Sequence, residues 1–593
     1  MDIVAALASS PLFEGLEPPA LQRLAAHIEV LELRGGATLF KAGDPADAIF
    51  LLASGRLRAI RPDGRVLGEI ARGEPIGEVG LLIDQPRSAT IIAVRDSLVL
   101  RMDRSVLLTL YHDFPDALLQ TTRVMIRRMR ETVQDRRRAR ARSQQAVAVI
   151  PAMPSLDVLP LAAALAEAMS AFGSVCLLEP ERVDAALGLG RAETLFDDHE
   201  HNPAVMTWLA EQERAHRYMV YACPPQPGAW ARRCMRQSDR ILLVVRAEDL
   251  PVTTPMVDEL LRSGTQAVVE MLVLRKPDEA VADILGWRER VRASSHRYLA
   301  PEGPVNIERL ARGLCGCGIG LVLGGGGARG FAHLGLMRAL EELQIPVDLY
   351  GGSSMGAFFA ALRAYGHDVD SMVEIARQSF VEHNFLNDYL FPSVALVRGR
   401  KFVRRLHDIF GEQQIETLPQ PFFCVSSNLT RGQVEVHDSG PLYLWTATSM
   451  AVPGVAPPVV WREELLVDGA LLNSLPVDVM HDLQRGPVIA SDVSTGGELR
   501  AHGIEGPDPE GLFNWQGPGK RPSLFNIMFR TATVGGQQDA KARAKLADVY
   551  LRMPVGGVAL FDWKRFDEVI EQGYEHALEQ LAPLRDRLLN GDL

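Results

Sequence analysis

The segment GGSSMG, residues 351–356, holds one serine with glycine at both −2 and +2, and that serine is Ser354. Gly352-x-Ser354-x-Gly356 is the spacing of a nucleophile elbow, in which a strand ends in a sharp turn and a helix follows. Glycine at 352 and 356 removes steric conflict in the turn, and the helix N-terminus favours negative charge developing beside the hydroxyl. The flanking runs VDLY and AFFAALRAY are the strand and helix this requires. The chemistry such a serine performs is acyl transfer.

Upstream, GLVL runs directly into Gly324, Gly325, Gly326, Gly327, Ala328, Arg329 and Gly330. Amides without bulky side chains can point at the oxyanion of an acyl-transfer intermediate. Gly325, Gly326, Gly327, Ala328 and Arg329 are therefore the candidate oxyanion hole. Gly325, Gly327 and Gly330 also spell the dinucleotide fingerprint G-x-G-x-x-G, and Asp348 stands near its expected acid. The elbow that follows Asp348 decides against that reading. A serine nucleophile needs a base. Among 14 histidines, His481 comes soon after an acid, but LPVDVMHDLQRG reads as a helix face. The better candidate is Asp468 in LLVDGALLNSLPVDV, where a strand ends in Asp-Gly and presents a carboxylate at a sheet edge. Shielding from water is expected to raise its pKa toward a useful value.

Three blocks surround these residues in a multidomain α/β chain. Residues 1–122 are β-rich, with short segments such as AIFLLASG and ATIIAVRDSLVLRM between turns, the texture of a small β-roll. Residues 123–145 form an arginine-rich helical linker that includes Arg127, Arg130, Arg136 and Arg142. It reads as a solvated connecting helix, with a clamp for anionic lipid headgroups as the alternative. Residues 146–312 alternate strands and helices as a Rossmann-like α/β domain. Its first strand-to-helix turn, IPAMPSLDVLP, has no glycine and no Gly-Lys-Ser/Thr, so a degenerate domain without a P-loop and with a structural or coupling role is expected. Residues 313–593 form the catalytic α/β domain, with a core at 321–482. Between elbow and aspartate, Phe385, Leu386, Tyr389, Leu390 and Phe391 read either as an acyl-channel lining and lid or as subdomain packing.

GGGGARG, GSSMG and DGA, in this order and on these elements, resemble the patatin-like phospholipase family, whose members use a Ser–Asp dyad without histidine. TATSMAVPGVAPPVV is similar to the family's Ala-Ser-x-Ala-x-Pro run, and Asn473 and Pro476 stand where its Asn-x-x-Pro does. Ala470 replaces a second glycine found in many members. The resemblance makes Ser354 the nucleophile, Asp468 its direct base, and Gly326 and Gly327 with neighbouring amides the oxyanion hole. It also gives Arg329 the task of orienting that loop or a lipid phosphate.

In the first block, Ile76–Leu82 followed by Pro86, Arg87, Ser88, Ala89 and Thr90 resembles the phosphate cassette of cyclic-nucleotide-binding domains. Amides near Gly77 and the Arg87 guanidinium would hold a cyclic phosphate, Glu78 a ribose hydroxyl, and Ser88 a further phosphate oxygen. Cyclic AMP or cyclic GMP is the expected regulatory ligand; no other cofactor and no metal are expected. This domain order resembles the neuropathy target esterase family, including its bacterial relatives. HNPAVMTWLAEQERAHRYMVY and DWKRFDEVIEQGYEHALEQL are similar to segments at equivalent places there. Larger members carry a transmembrane helix and more than one sensor module.

The 593 residues are 47% hydrophobic and 23% charged, which excludes wholesale disorder and collagen-like architecture. No run approaches ~18 uninterrupted apolar residues. MDIVAALASSPLF carries an acid where a secretory signal has basic charge, and six cysteines without framework spacing fit a reducing compartment. Cys315 and Cys317 read as ordinary packing. A net charge of −11 argues against nucleic-acid binding. The resulting expectation is a cytoplasmic serine esterase, peripheral at most on the inner membrane face, acting on lysophospholipid or phospholipid. Its oligomeric state stays open. The alternatives are a broader acyl hydrolase on neutral glycerides and a non-catalytic adaptor responding to cyclic nucleotide.

Overall fold

The computed structural model describes residues 3–591, apart from 9, 14–15, 65, 79, 81–83, 115–121, 124–144, 197, 199, 277–278, 280, 301–303, 384–387, 389–394, 484, 495–526 and 528–541. The arginine-rich stretch from Arg127 to Arg142, and the aromatic cluster Phe385, Leu386, Tyr389, Leu390 and Phe391, lie outside the described residues. The chain divides into two compact units, Met1–Ala311 and Arg312–Leu593.

In the first unit, β1 (Glu29–Leu33), β2 (Thr38–Phe40), β3 (Ala48–Ser54), β4 (Leu57–Ile60), β5 (Val66–Ile70), β6 (Pro75–Ile76), β7 (Thr90–Ala93) and β8 (Ser97–Asp103) build two antiparallel sheets. Their orders are β1-β8-β3-β6 and β2-β7-β4-β5. The period-two alternation of β3 explains the arrangement. Ala48, Phe50 and Leu52 join Leu57, Ile91 and Ala93 between the sheets. Ile49, Leu51 and Ala53 face the other way and pack with Leu7, Phe13 and Leu21 from the N-terminal helices.

The same unit holds a six-stranded parallel sheet of β9 (Gln145–Pro151), β10 (Val175–Leu178), β11 (Tyr218–Ala222), β12 (Arg240–Arg246), β13 (Val268–Leu274) and β14 (Ser295–Leu299). Its order is β10-β11-β9-β12-β13-β14. The Rossmann order, 3-2-1-4-5-6, would put β10 beside β9, so the Rossmann-like expectation is corrected in its topology. Burial gives the reason. All five residues of β11 are buried, as an inner parallel strand requires, whereas only alternate residues of the short β10 are, which suits an edge.

A buried ionic cluster joins the two sheet systems of this unit. Arg95, after β7, is bonded to Glu213 on the helix Asn202–Ala215. Its Nε lies 3.1 Å from Asp239 Oδ1, an ion pair whose geometry falls short of a hydrogen bond. Arg56 Nε is 3.0 Å from the same oxygen, and Arg236 pairs with Asp96 at 2.9 Å. Removing one member of such a cluster strands its partners without water. Arg95→Met is expected to cost about 3–5 kcal/mol of stability, read as a lower urea midpoint. A companion Glu213→Gln should recover part of the loss, and an unchanged midpoint for Arg95→Met would contradict the account.

In the second unit, β15 (Gly320–Leu323), β16 (Leu349–Ser353), β17 (Phe422–Asn428), β18 (Gln433–His437), β19 (Val459–Trp461), β20 (Glu464–Asp468), β21 (Val488–Asp492) and β22 (Val549–Arg552) form one sheet. Five of them run parallel in the order β17-β16-β15-β21-β22, while β18 and β20 pair antiparallel with β17. β17 therefore has three partners but only two edges. β18 covers Cys424–Asn428, so β16 and β20 must share the opposite edge. β16 ends with Ser353 opposite Val425, and β20 arrives from the other direction and ends with Asp468 opposite Ser426. The two strands meet head-on at adjacent residues of β17. Beneath them, Leu321, Leu323, Phe331, Phe358 and Phe359 belong to a continuous apolar core. Among the described residues no helix is long and apolar enough to cross a membrane.

Candidate active site

Ser354 sits at this head-on junction, in the turn between β16 and the helix Met355–Tyr365. Its backbone has φ 52° and ψ −123°, a conformation that non-glycine residues rarely adopt. The turn closes because the elbow glycines leave space. A Cβ on Gly352 would lie 2.5 Å from the Gly356 carbonyl carbon, and one on Gly356 would lie 2.1 Å from the Leu323 carbonyl oxygen. Ser449, at the end of the helix Leu442–Ser449, accepts the Ser354 amide at 2.9 Å and donates its hydroxyl to the Val425 carbonyl at 2.7 Å. Ser449 lies within the Ala-Ser-x-Ala-x-Pro-like run, where nothing local in the sequence marks its task.

Ser354 Oγ donates to Asp468 Oδ2 at 2.6 Å. The other carboxylate oxygen accepts the Ala470 amide at 2.8 Å, which fixes the plane of the group. Asp468 is 2% exposed. Burial lifts its pKa to about 7, against the opposing pull of the Ser354 hydroxyl and the Ala470 amide. Among the described residues no histidine bonds to Ser354 or Asp468. His481 lies buried on the short helix Val477–Asp482, 3.6 Å from Asp482. Asp348, the candidate dinucleotide acid, is instead bonded to Arg312 at 2.8 Å and to the Ile319 amide at 2.9 Å, tying down the start of β15. Cys315 and Cys317 are buried free thiols, and no group of His, Cys, Asp or Glu suited to a metal occurs among the described residues.

The glycine loop narrows the expected oxyanion set. The Gly325 amide donates to the Ser474 carbonyl at 2.9 Å, that of Ala328 to Leu560 at 2.8 Å, and that of Arg329 to Gly326 at 3.3 Å. Amides already bonded inside the protein are not available to an oxyanion, so Gly325, Ala328 and Arg329 are corrected out of the donor set. Gly326 and Gly327 remain, their amides without an acceptor among the described residues. Gly327 needs its freedom: φ is +58°, and a Cβ would lie 2.2 Å from the Leu560 carbonyl oxygen. The Arg329 guanidinium bonds the Val558 carbonyl at 2.8 Å, so it ties the loop to a neighbouring segment.

His333, unmarked in the sequence reading, is fully buried and holds this loop from below. Its Nε2 donates to the Gly324 carbonyl at 2.9 Å, and its Nδ1 accepts from Ser491 Oγ at 3.0 Å. Burial lowers its pKa to about 4, so the ring is neutral above that pH. His333→Phe removes both bonds and is expected to slow hydrolysis about 10- to 100-fold through misplacement of the loop. Because the ring does not titrate near neutrality, that loss should be the same at pH 6 and pH 9. A loss confined to one end of this range would show that His333 takes part in proton transfer instead.

Ser354 opens onto a cavity of about 650 Å³. Gly327 and Met355 share its floor, and Phe380, Phe402, Val452, Val455, Phe561 and Trp563 contribute apolar wall.

Three stretches of the chain match known protein families. Residues 321–481 match the family model described as patatin-like phospholipase, residues 30–114 the cyclic nucleotide-binding domain, and residues 143–299 the neuropathy target esterase family P-loop like domain. An uncharacterized NTE family protein of Mycobacterium tuberculosis is 32% identical over 83% of this chain and 80% of its own length. The chain belongs to the neuropathy target esterase family. Patatin-like phospholipase domain-containing protein 7 of Mus musculus is 29% identical over 93% of this chain, and protein 6 of Homo sapiens 27% identical over 94%. The chain spans 45% of the length of each, so it matches about half of these larger relatives.

The cyclic nucleotide-binding domain of this NTE-family chain brings Gly77 and Arg87 together. Gly77 has φ +80°, and a Cβ there would lie 2.1 Å from Arg87 Nη1. The guanidinium donates to the Gly77 carbonyl at 3.0 Å and the Ala48 carbonyl at 2.7 Å, and stacks over Phe40. Burial lowers its pKa, while Asp47, Asp44 and Glu78 oppose that shift. Glu78 is buried nearby, and Ser88 is exposed. A cyclic phosphate on Arg87 would compete with these two backbone carbonyls.

Proposed function

We propose that this chain is a serine esterase that releases the acyl chain of lysophospholipids, with Ser354 as nucleophile and Asp468 as its only base. One observation carries the reading: the 2.6 Å bond from Ser354 to a buried carboxylate, at the end of a largely apolar cavity. Asp468 removes the Ser354 proton as Oγ attacks the ester carbonyl. The tetrahedral oxyanion is received by the amides of Gly326 and Gly327, with that of Met355 at the helix N-terminus beside it. Asp468 returns the proton to the departing glycerol oxygen, leaving the acyl chain on Ser354. Water then attacks this ester, its proton passes to Asp468, and collapse of the second intermediate returns a proton to Ser354 and frees the fatty acid. A pKa near neutrality suits a carboxylate that must both take and give this proton.

The N-terminal domain supports regulation by cyclic AMP or cyclic GMP through Arg87 and Glu78. Fatty-acid release from lysophosphatidylcholine, phosphatidylcholine and monoacylglycerol, each with and without cyclic nucleotide, tests both parts. Lysophosphatidylcholine should be cleaved faster than phosphatidylcholine, and cyclic nucleotide should change the rate. Absence of release from all three substrates would remove the esterase reading.

A further inference from the structure

The cavity above Ser354 has a charge pattern that acyl-chain binding does not explain. Its charged lining comes from Arg398, Arg400 and Arg404, and no carboxylate lines it among the described residues. The three arginines are exposed, whereas Ser354 at the other end is buried, so they form the rim. Among the described residues none of the three has an ion pair or side-chain hydrogen-bond partner. Their neighbours differ. Arg405 on the same helix bonds Ser379 Oγ at 3.1 Å and Gln378 at 3.2 Å, and Arg377 pairs with Asp567 at 2.6 Å. Of these five arginines, the three that line the cavity are the ones without a partner among the described residues.

The backbone holds them there. Asp388, the nearby acid, accepts the amides of Gly399 and Lys401 at 3.3 Å each, and its carbonyl accepts the Arg398 amide at 2.9 Å. Its carboxylate is thus committed to the turn. The Val397 amide bonds the Val455 carbonyl on the cavity wall at 2.9 Å. The helix Arg400–Phe410 buries Phe402, Leu406 and Phe410, and its first turn contains arginine and lysine but no acid. Cations at a helix N-terminus oppose the helix dipole, so this placement does not serve the helix. It adds to a positive field that suits an anion.

We infer that Arg398, Arg400 and Arg404 bind the phosphate of the substrate's headgroup at the cavity rim while the ester carbonyl lies at Ser354. Planar guanidinium forks match phosphate oxygens in pairs, and three without partners among the described residues can turn to the ligand without breaking a bond made there. The inference rests on the esterase reading and assigns to three residues the recognition of its substrate's phosphate. Phosphate-bearing single-chain esters are the preferred substrates, ahead of glycerides with the same acyl chain.

Lysophosphatidic acid and monoacylglycerol with one common acyl chain differ only in the phosphate and provide the test. The wild type should show kcat/KM at least about tenfold higher for the phosphate ester. The triple variant Arg398→Gln/Arg400→Gln/Arg404→Gln should lose that preference, chiefly through KM, with an unaltered thermal unfolding curve. Arg404→Lys keeps the charge without the fork and should lose part of it. Equal turnover of the two substrates by the wild type, or an unchanged ratio in the triple variant, overturns the inference. Millimolar inorganic phosphate separates a headgroup site from one for free phosphate. Competition against lysophosphatidic acid alone supports the headgroup, and an equal effect on monoacylglycerol refutes it. If the wild type cleaves neither substrate, the esterase reading itself fails, a result distinct from an active enzyme without preference.

Discussion

Ser354→Ala should lower ester hydrolysis by about 10⁴-fold or more, and Asp468→Asn should do the same by a different route. Loss of Oγ removes the attacking atom. Asparagine at 468 keeps the size of the side chain, and its carbonyl oxygen can still accept the Ala470 amide. Its amide nitrogen then faces Ser354 Oγ and donates where the carboxylate accepts a proton. Geometry survives while the polarity of the 2.6 Å bond reverses. Since His481 lies beside Asp482 and His333 supports the glycine loop, no second base stands behind Asp468 among the described residues. The check is kcat/KM for lysophosphatidylcholine, together with covalent labelling of Ser354 by a fluorophosphonate. Each variant should lose labelling as well as turnover. Asp468→Asn retaining more than about a tenth of wild-type kcat/KM would require another base.

The second large effect is on pH dependence, and it couples activity to stability. The Asp468 carboxyl has a folded pKa of about 7 against an ordinary 3.8, chiefly because burial disfavours the anion. As base it must be ionised, so kcat/KM should rise with pH through an apparent pKa near 7 and level off above it. The same shift has a definite sign for folding. Between about pH 4 and 7 the native state keeps a proton that the unfolded chain has already released. Stability from the protonated group is fully present below pH 4 and is lost as pH rises through 7. Three units at 1.36 kcal/mol each make this about 4 kcal/mol. Asp468→Asn cannot ionise and escapes the loss. It should unfold close to wild type at pH 4 and resist denaturant better by several kcal/mol at pH 8. A wild-type-minus-variant difference that stays flat from pH 4 to 8 would contradict the assigned burial.

The meeting of Ser354 with Asp468 was legible in the sequence because its local requirements are written beside it. Glycines flank Ser354, and an Asp-Gly turn ends a strand at Asp468. What could not be read is which amides stay free. Gly325 and Ala328 look as suitable as Gly326 and Gly327, yet their acceptors, Ser474 and Leu560, arrive from far along the chain. His333 lies on an amphipathic helix among apolar residues, where its pattern is that of any core position. The three arginines of the rim are an unremarkable VRGRKFVR in sequence, and only the fold shows that they face the cavity of the elbow serine. In the parallel sheet, strand content followed from the apolar runs. The order of β10 and β11 depended on which run was buried throughout, a contrast that alternation with helices does not reveal.

The meeting of β16 and β20 on one edge of β17 also governs when the proposed site comes to exist during synthesis. Ser354 precedes Asp468 by 114 positions, and β17 lies between them in the chain. A nascent chain that has made the elbow therefore holds a serine with no partner until β17 is seated and β20 has docked on it. Such a contact between remote positions carries a high loop-closure cost and comes late in folding. Partly folded or truncated chains would then be silent toward lipids, and the appearance of hydrolysis during refolding would mark completion of the sheet.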